Sequence, residues 1–210
     1  NNLGVTYKEL GQLEEAVDSY EIALTINPDY ADAHNNLGVV LKKLGQIDNA
    51  IKSYLKALNI NPNDADTHNN IGIAFDELEQ LDEAIQSYNQ ALTIQPDLAE
   101  AYNNLGHTLC KLNRYEEAMQ SYDKVLSIKP SLDYIVGNVL NTKMNCCNWD
   151  NLAKLLTNAK KKINNNEKVI EPFNLMGVID DPALQRMAQE ERIISSHPKS
   201  DILPKLDFYP

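Results

Sequence analysis

Only three cysteines occur in 210 residues, Cys110 and the adjacent pair Cys146-Cys147. Neighbouring cysteines rarely bridge, and three cannot build a disulfide framework. None stands in a Cys/His spacing that would hold zinc. The expected setting is reducing and cytoplasmic. No apolar run is long enough to span a bilayer and no signal-peptide pattern is present, so no membrane partner is expected. A Gly-rich phosphate loop, a Gly-x-Ser-x-Gly elbow and a metal-spaced cluster are all missing. The expectation is therefore no catalytic residue, no cofactor and no metal. The chain begins with Asn1 rather than Met and reads as an excised piece of a longer protein.

Basic charge is scarce in the first two thirds. Residues 1–132 hold the whole net charge of −11, while residues 133–210 balance to zero. Such an acidic surface argues against a nucleic-acid backbone as partner. With 43% apolar residues the chain has ample material for a folded core.

What the chain does have is a period. Residues 31–64, 65–98 and 99–132 are three versions of one unit of 34 residues with no insertion between them, and residues 1–30 are the same unit without its front. A fixed period of this length marks a solenoid whose units pack only on their neighbours. Within a unit, Leu37, Gly38 and Leu41 form an apolar stripe on a first helix, and Ala50, Tyr54, Ala57 and Leu58 form another on a second. Gly38 and Ala50 are small, which predicts that the two helix backbones approach closely there. Gly45 stands where a helix C-terminus takes a left-handed residue, and Pro62 ends the second helix.

These residues resemble the tetratricopeptide (TPR) repeat. The pattern recurs at Ile71-Gly72, Phe75, Ala84, Tyr88, Ala91 and Pro96, and again at Leu105-Gly106, Leu109, Ala118, Tyr122 and Pro130. Leu3-Gly4, Tyr7, Ala16, Tyr20, Ala23 and Pro28 carry the partial unit. Glu79 and Asn113 replace the loop glycine, and Val125 replaces the third alanine. The resemblance implies an all-α, right-handed superhelical solenoid with the first helices lining the concave side. After residue 132 the spacing changes. Residues 133–163 read as a diverged fifth helix pair that caps the stack, and residues 164–210 as a linker with a helix from Asp181-Pro182 to about Ile194.

One stripe of each first helix faces away from the apolar one. Asp32, Asn36, Val39 and Lys43 share it, as do Asp66, Asn70, Ile73 and Glu77, and then Glu100, Asn104, His107 and Lys111. Asn2, Asn36, Asn70 and Asn104 thus form a ladder. An asparagine amide offers a donor and an acceptor, the complement of a peptide group, so the ladder can hold an extended backbone. The alternative is that these asparagines tighten contacts between adjacent repeats, since Asn35, Asn69 and Asn103 recur beside them. His34 and His68 occupy the place of Tyr102 and are read as packing residues. Asp76-Glu77 and Glu116-Glu117 are read as solvated helix faces. Lys160-Lys161-Lys162 complements the negative end of its helix.

A second resemblance lies in the tail. Asp133-Tyr134, Lys143-Met144, Cys147-Asn148-Trp149-Asp150, Pro172-Phe173 and Asp181-Pro182-Ala183-Leu184-Gln185 are similar to the start of the catalytic region of O-linked N-acetylglucosamine transferases and SPINDLY-like proteins. This implies a parent glycosyltransferase whose lobes would follow Pro210, with the present chain recruiting acceptor proteins and itself inert. In that family an asparagine ladder and an aspartate ladder bind the acceptor, implying groove roles for Asn2, Asn36, Asn70, Asn104, Asp32 and Asp66. Glu100 departs from the aspartate pattern, and His107 lies on the same face. Self-association through the repeats is a further expectation. The rival reading is a non-enzymatic TPR adaptor. A groove that clamps a chaperone tail is not expected, because these faces offer mainly Asn, Asp and Glu rather than Lys and Arg.

Overall fold

A computed structural model describes residues 1–132 and 134–164. The predicted helix from Asp181-Pro182, the proline-punctuated end and most of the tail resemblance lie outside the described residues. The chain divides into two compact units, Asn1–Ile128 and Lys129–Pro210.

The first unit is built of four helical hairpins, α1 (Asn2–Glu9) with α2 (Leu13–Ile26), α3 (Ala31–Lys43) with α4 (Ile47–Ile60), α5 (Ala65–Glu77) with α6 (Leu81–Ile94), and α7 (Ala99–Lys111) with α8 (Tyr115–Ile128). No strand occurs among the described residues. Each first helix packs on its own second helix, and α3, α5 and α7 also pack on the second helix of the hairpin before. The described residues are all-α, as the 34-residue period predicts.

The hairpin ends follow from backbone chemistry. Gly11 and Gly45 turn with φ near +76°, and Glu79 and Asn113 hold the same left-handed place at +58°. Each of α2, α4, α6 and α8 stops two residues before a proline. The residue between, Asn27, Asn61 or Gln95 in the first three, is already extended, with φ between −126° and −135°. Proline disfavours helical backbone in the residue before it.

Inside each hairpin the alanine of the second helix is fully buried (Ala16, Ala50, Ala84, Ala118), and so is the tyrosine one turn on (Tyr20, Tyr54, Tyr88, Tyr122, at most 2% exposed). What lies over Gly38 is the ring of Tyr54. The predicted close approach of two backbones is corrected here: the small residue makes room for an aromatic side chain. Gly4, Gly72 and Gly106 face Tyr20, Tyr88 and Tyr122 in the same way.

The second unit contains α9 (Ile135–Asn145) and α10 (Leu152–Asn164). Ile135, Val139 and Leu140 of α9 are buried, as are Ala159 and Ile163 of α10. Lys162 donates from Nζ to the Pro130 carbonyl at 3.4 Å.

Candidate functional site

Successive first helices touch, α3 with α5 and α5 with α7. Troughs separate the second helices α2 and α4, and α6 and α8. Within the first unit the first helices therefore form the inner face, which is where the asparagine and acidic rows sit.

On that face Asn2, Asp32, Asp66, Glu100 and His107 are exposed. Asn36, Asn70 and Asn104 are half-buried, and each has already committed part of its amide. Asn36 Nδ2 donates to Asn1 Oδ1 at 3.2 Å, Asn70 Nδ2 to Asn35 Oδ1 at 3.1 Å, and Asn104 Nδ2 to Asn69 Oδ1 at 3.0 Å. Every bond spans 35 residues, so each ladder asparagine is tied to the one just before the ladder in the preceding repeat. An amide has two N–H donors and a carbonyl with two lone pairs. The tie uses one donor. The ladder is thus a contact between repeats that still carries hydrogen-bonding capacity.

Sequence reasoning missed a second set of ties. Asp76 and Glu77, read as a solvated pair, join three repeats. Lys42 Nζ lies 2.8 Å from Glu77 Oε1. Asp76 accepts from Thr108 Oγ1 at 2.6 Å and from Lys111 Nζ at 2.7 Å. Burial opposes the charge on Lys111, but Asp76 and Glu79 outweigh it and raise its pKa. The only signal available in the sequence was opposite charge about one period apart. By contrast, Glu117 pairs with Arg114 of its own helix end at 2.7 Å.

His34 and His68 fill the place of Tyr102 and do one thing more. Their Nε2 atoms reach the carbonyls of Pro28 and Pro62 at 2.9 and 3.0 Å, pinning the loop that precedes each first helix. Among the described residues no cluster of His, Cys, Asp or Glu could hold a metal ion. No described helix is long and apolar enough to cross a membrane.

Comparison with known proteins agrees with this geometry. Residues 4–45 match the family described as TPR repeat, and residues 29–97 and 99–132 match tetratricopeptide repeat. No protein with a curated description matches. Among solved structures the chain resembles MamA, at 22% identity and a TM-score of 0.70, over 77% of this chain and 95% of that one. It resembles PilF of Pseudomonas aeruginosa at 21% identity and a TM-score of 0.70, over 95% and 90%. A third is YrrB, described as a TPR protein with an unusual peptide-binding site, at 20% identity and a TM-score of 0.62, over 90% and 89%. Identities this low speak for the fold alone. The family matches make residues 4–132 of this chain an array of tetratricopeptide repeats.

Proposed function

We propose that this chain is a protein-interaction scaffold that holds an extended polypeptide along the inner face of its first helices. The observation that carries this reading is the half-committed amide of Asn36, Asn70 and Asn104. The tie to the preceding repeat fixes the side chain, and the remaining N–H and the carbonyl can meet a peptide group at each repeat. Asp32, Asp66 and Glu100 add a row of carboxylates that favours basic side chains in the ligand. Val39 and Ile73 offer apolar contacts, which His107 replaces in the next repeat.

The experiment separates tie from ligand contact. Fluorescent 15-residue unstructured peptides are titrated against Asn35→Ala/Asn69→Ala and against Asn36→Ala/Asn70→Ala/Asn104→Ala. The first variant removes the acceptors that tie Asn70 and Asn104 but leaves every ladder amide in place, so it should lose stability and, when folded, bind more weakly than the unaltered chain but more tightly than the triple variant. The second should lose both stability and binding. Equal binding by the folded triple variant would leave the ladder with a purely structural role.

A finer reading makes the bound polypeptide an acceptor substrate of an O-GlcNAc-transferase-like parent, with this chain as its non-catalytic recruiting arm. It rests on the resemblance of the tail. The adaptor reading fits the repeats of residues 4–132 equally well. The sequence that follows Pro210 in the parent decides between them. Strand–loop–helix units carrying Gly and His there would support the transferase.

A further inference from the structure

The opposite side of the first unit carries a trough that this function does not use. It runs between α2 and α4, and Leu37 and Leu41 of α3 line its floor. Two connected cavities of about 810 and 470 Å³ make it up, sharing Glu21, Leu37, Ser53 and Lys56. Lining residues on α2 fall at 14, 17, 18, 21, 24 and 25, one helical face followed for three turns, or roughly 16 Å.

The two walls have opposite charge. Glu14, Asp18 and Glu21 stand on the α2 side, and Lys52 and Lys56 on the α4 side. All five are exposed, and none is in an ion pair among the described residues. Leu55, which lines the same cavity, is 53% exposed, where the other repeats have Glu21, Asn89 and Asp123.

The molecule contains its own comparison. Between α6 and α8 the equivalent trough has only about 260 Å³. There Tyr102 takes the place of His34, Asn89 that of Glu21, and Arg114 and Glu117 neutralise each other. The larger version, with its two charged walls, lies at the front of the array.

From the charge and shape of these walls, we propose that the α2–α4 trough docks an amphipathic helix of a partner protein. That helix carries an apolar stripe flanked by Lys or Arg on one edge and Asp or Glu on the other. A helix satisfies its own backbone, which suits an aliphatic floor between helices whose backbone groups are already paired. Its basic edge lies along Glu14, Asp18 and Glu21, and its acidic edge along Lys52 and Lys56.

The probe is a labelled 18-residue helical peptide with leucines on one stripe, lysines on one edge and glutamates on the other. It is titrated by anisotropy against the 210-residue chain. Lys52→Glu/Lys56→Glu alters only exposed side chains and should weaken binding at least tenfold. Changing the glutamate edge of the probe to lysine should restore it. His34→Tyr copies the repeat of residues 99–132, where Tyr102 stands, fills the trough and should also weaken binding. The folded fraction of Asn36→Ala/Asn70→Ala/Asn104→Ala, measured well below its melting temperature, should bind the probe as the unaltered chain does, so this proposal stands or falls apart from the groove reading. Unchanged affinity in Lys52→Glu/Lys56→Glu would overturn the proposal. So would self-association, seen by sedimentation, that this variant abolishes, because a second copy would then be the occupant.

Discussion

A methyl group placed on Gly38 would lie 2.5 Å from Cε1 of the Tyr54 ring. Tyr54 is 0% exposed, so the ring has nowhere to retreat without disturbing α4 and α5.

Gly38→Ala is therefore predicted to destabilise. Overpacking a buried site costs about 1–3 kcal/mol, and alanine recovers about 1 kcal/mol of that through its higher helix propensity. The net loss should be about 0–2 kcal/mol, seen as a lower urea midpoint. Ala84→Leu has no propensity gain to offset it and should cost the full 1–3 kcal/mol or so. An unmoved midpoint in both variants would contradict the packing described.

The tyrosine hydroxyls differ between repeats. Those of Tyr20 and Tyr54 are buried with no hydrogen-bond partner among the described residues, whereas Tyr88 has Thr108 within reach. Position 108 corresponds to Ala74, which packs in one cluster with Tyr54. Tyr54→Phe should leave stability unchanged or slightly higher, and Tyr88→Phe should cost about 0.5–1.5 kcal/mol. Thermal melts of the two variants side by side check the sign.

Alkaline pH should unfold the repeats. Burial raises the pKa of Tyr20, Tyr54, Tyr88 and Tyr122. Nearby carboxylates add to the effect at the first three, Glu9 at Tyr20, Glu77 at Tyr54 and Asp76 with Glu77 at Tyr88. A raised native pKa means that the folded state holds its proton while the unfolded chain, at about 10, gives it up. Their contribution is intact below pH ~10 and is lost as pH climbs from there toward the raised native values. Part of the tyrosinate absorbance at 295 nm should thus appear only together with loss of helical circular dichroism. Complete tyrosinate formation in a still-helical protein would refute this.

Glu79 occupies a left-handed turn position with φ +58°, where Gly45 serves in the preceding repeat. Such a conformation costs a residue with a Cβ about 1–2 kcal/mol. Glu79→Gly should relieve most of that and raise the melting temperature by a few degrees. The contact it gives up, Glu79 with Lys111 at 3.5 Å, is exposed and worth little.

Much of this architecture was readable beforehand, and the exceptions share a cause. Pro28, Pro62 and Pro96, the glycine at 45 and its stand-ins at 79 and 113 act within a few residues, and a linear sequence displays local chemistry directly. The period likewise identified the face that Asn36, Asn70 and Asn104 occupy. What periodicity cannot show is which atom meets which across the gap. A small residue at 38 was compatible with a close backbone or with an aromatic ring. Asp76 and Glu77 look solvated until stacking brings Lys111 and Lys42 beside them. The partner of each ladder asparagine was visible as a repeated Asn-Asn pair, but copying of the repeat unit explained that pair equally well.

The bond from Asn70 to Asn35 also has a thermodynamic side. Immobilising a side chain with several accessible rotamers normally charges roughly 0.5–1.5 kcal/mol against association. Here that loss of torsional freedom falls on folding instead, because the neighbouring repeat has already selected the rotamer. A polypeptide arriving at the groove meets amides that need little further ordering. Its binding entropy is then governed by its own flexibility more than by the groove's.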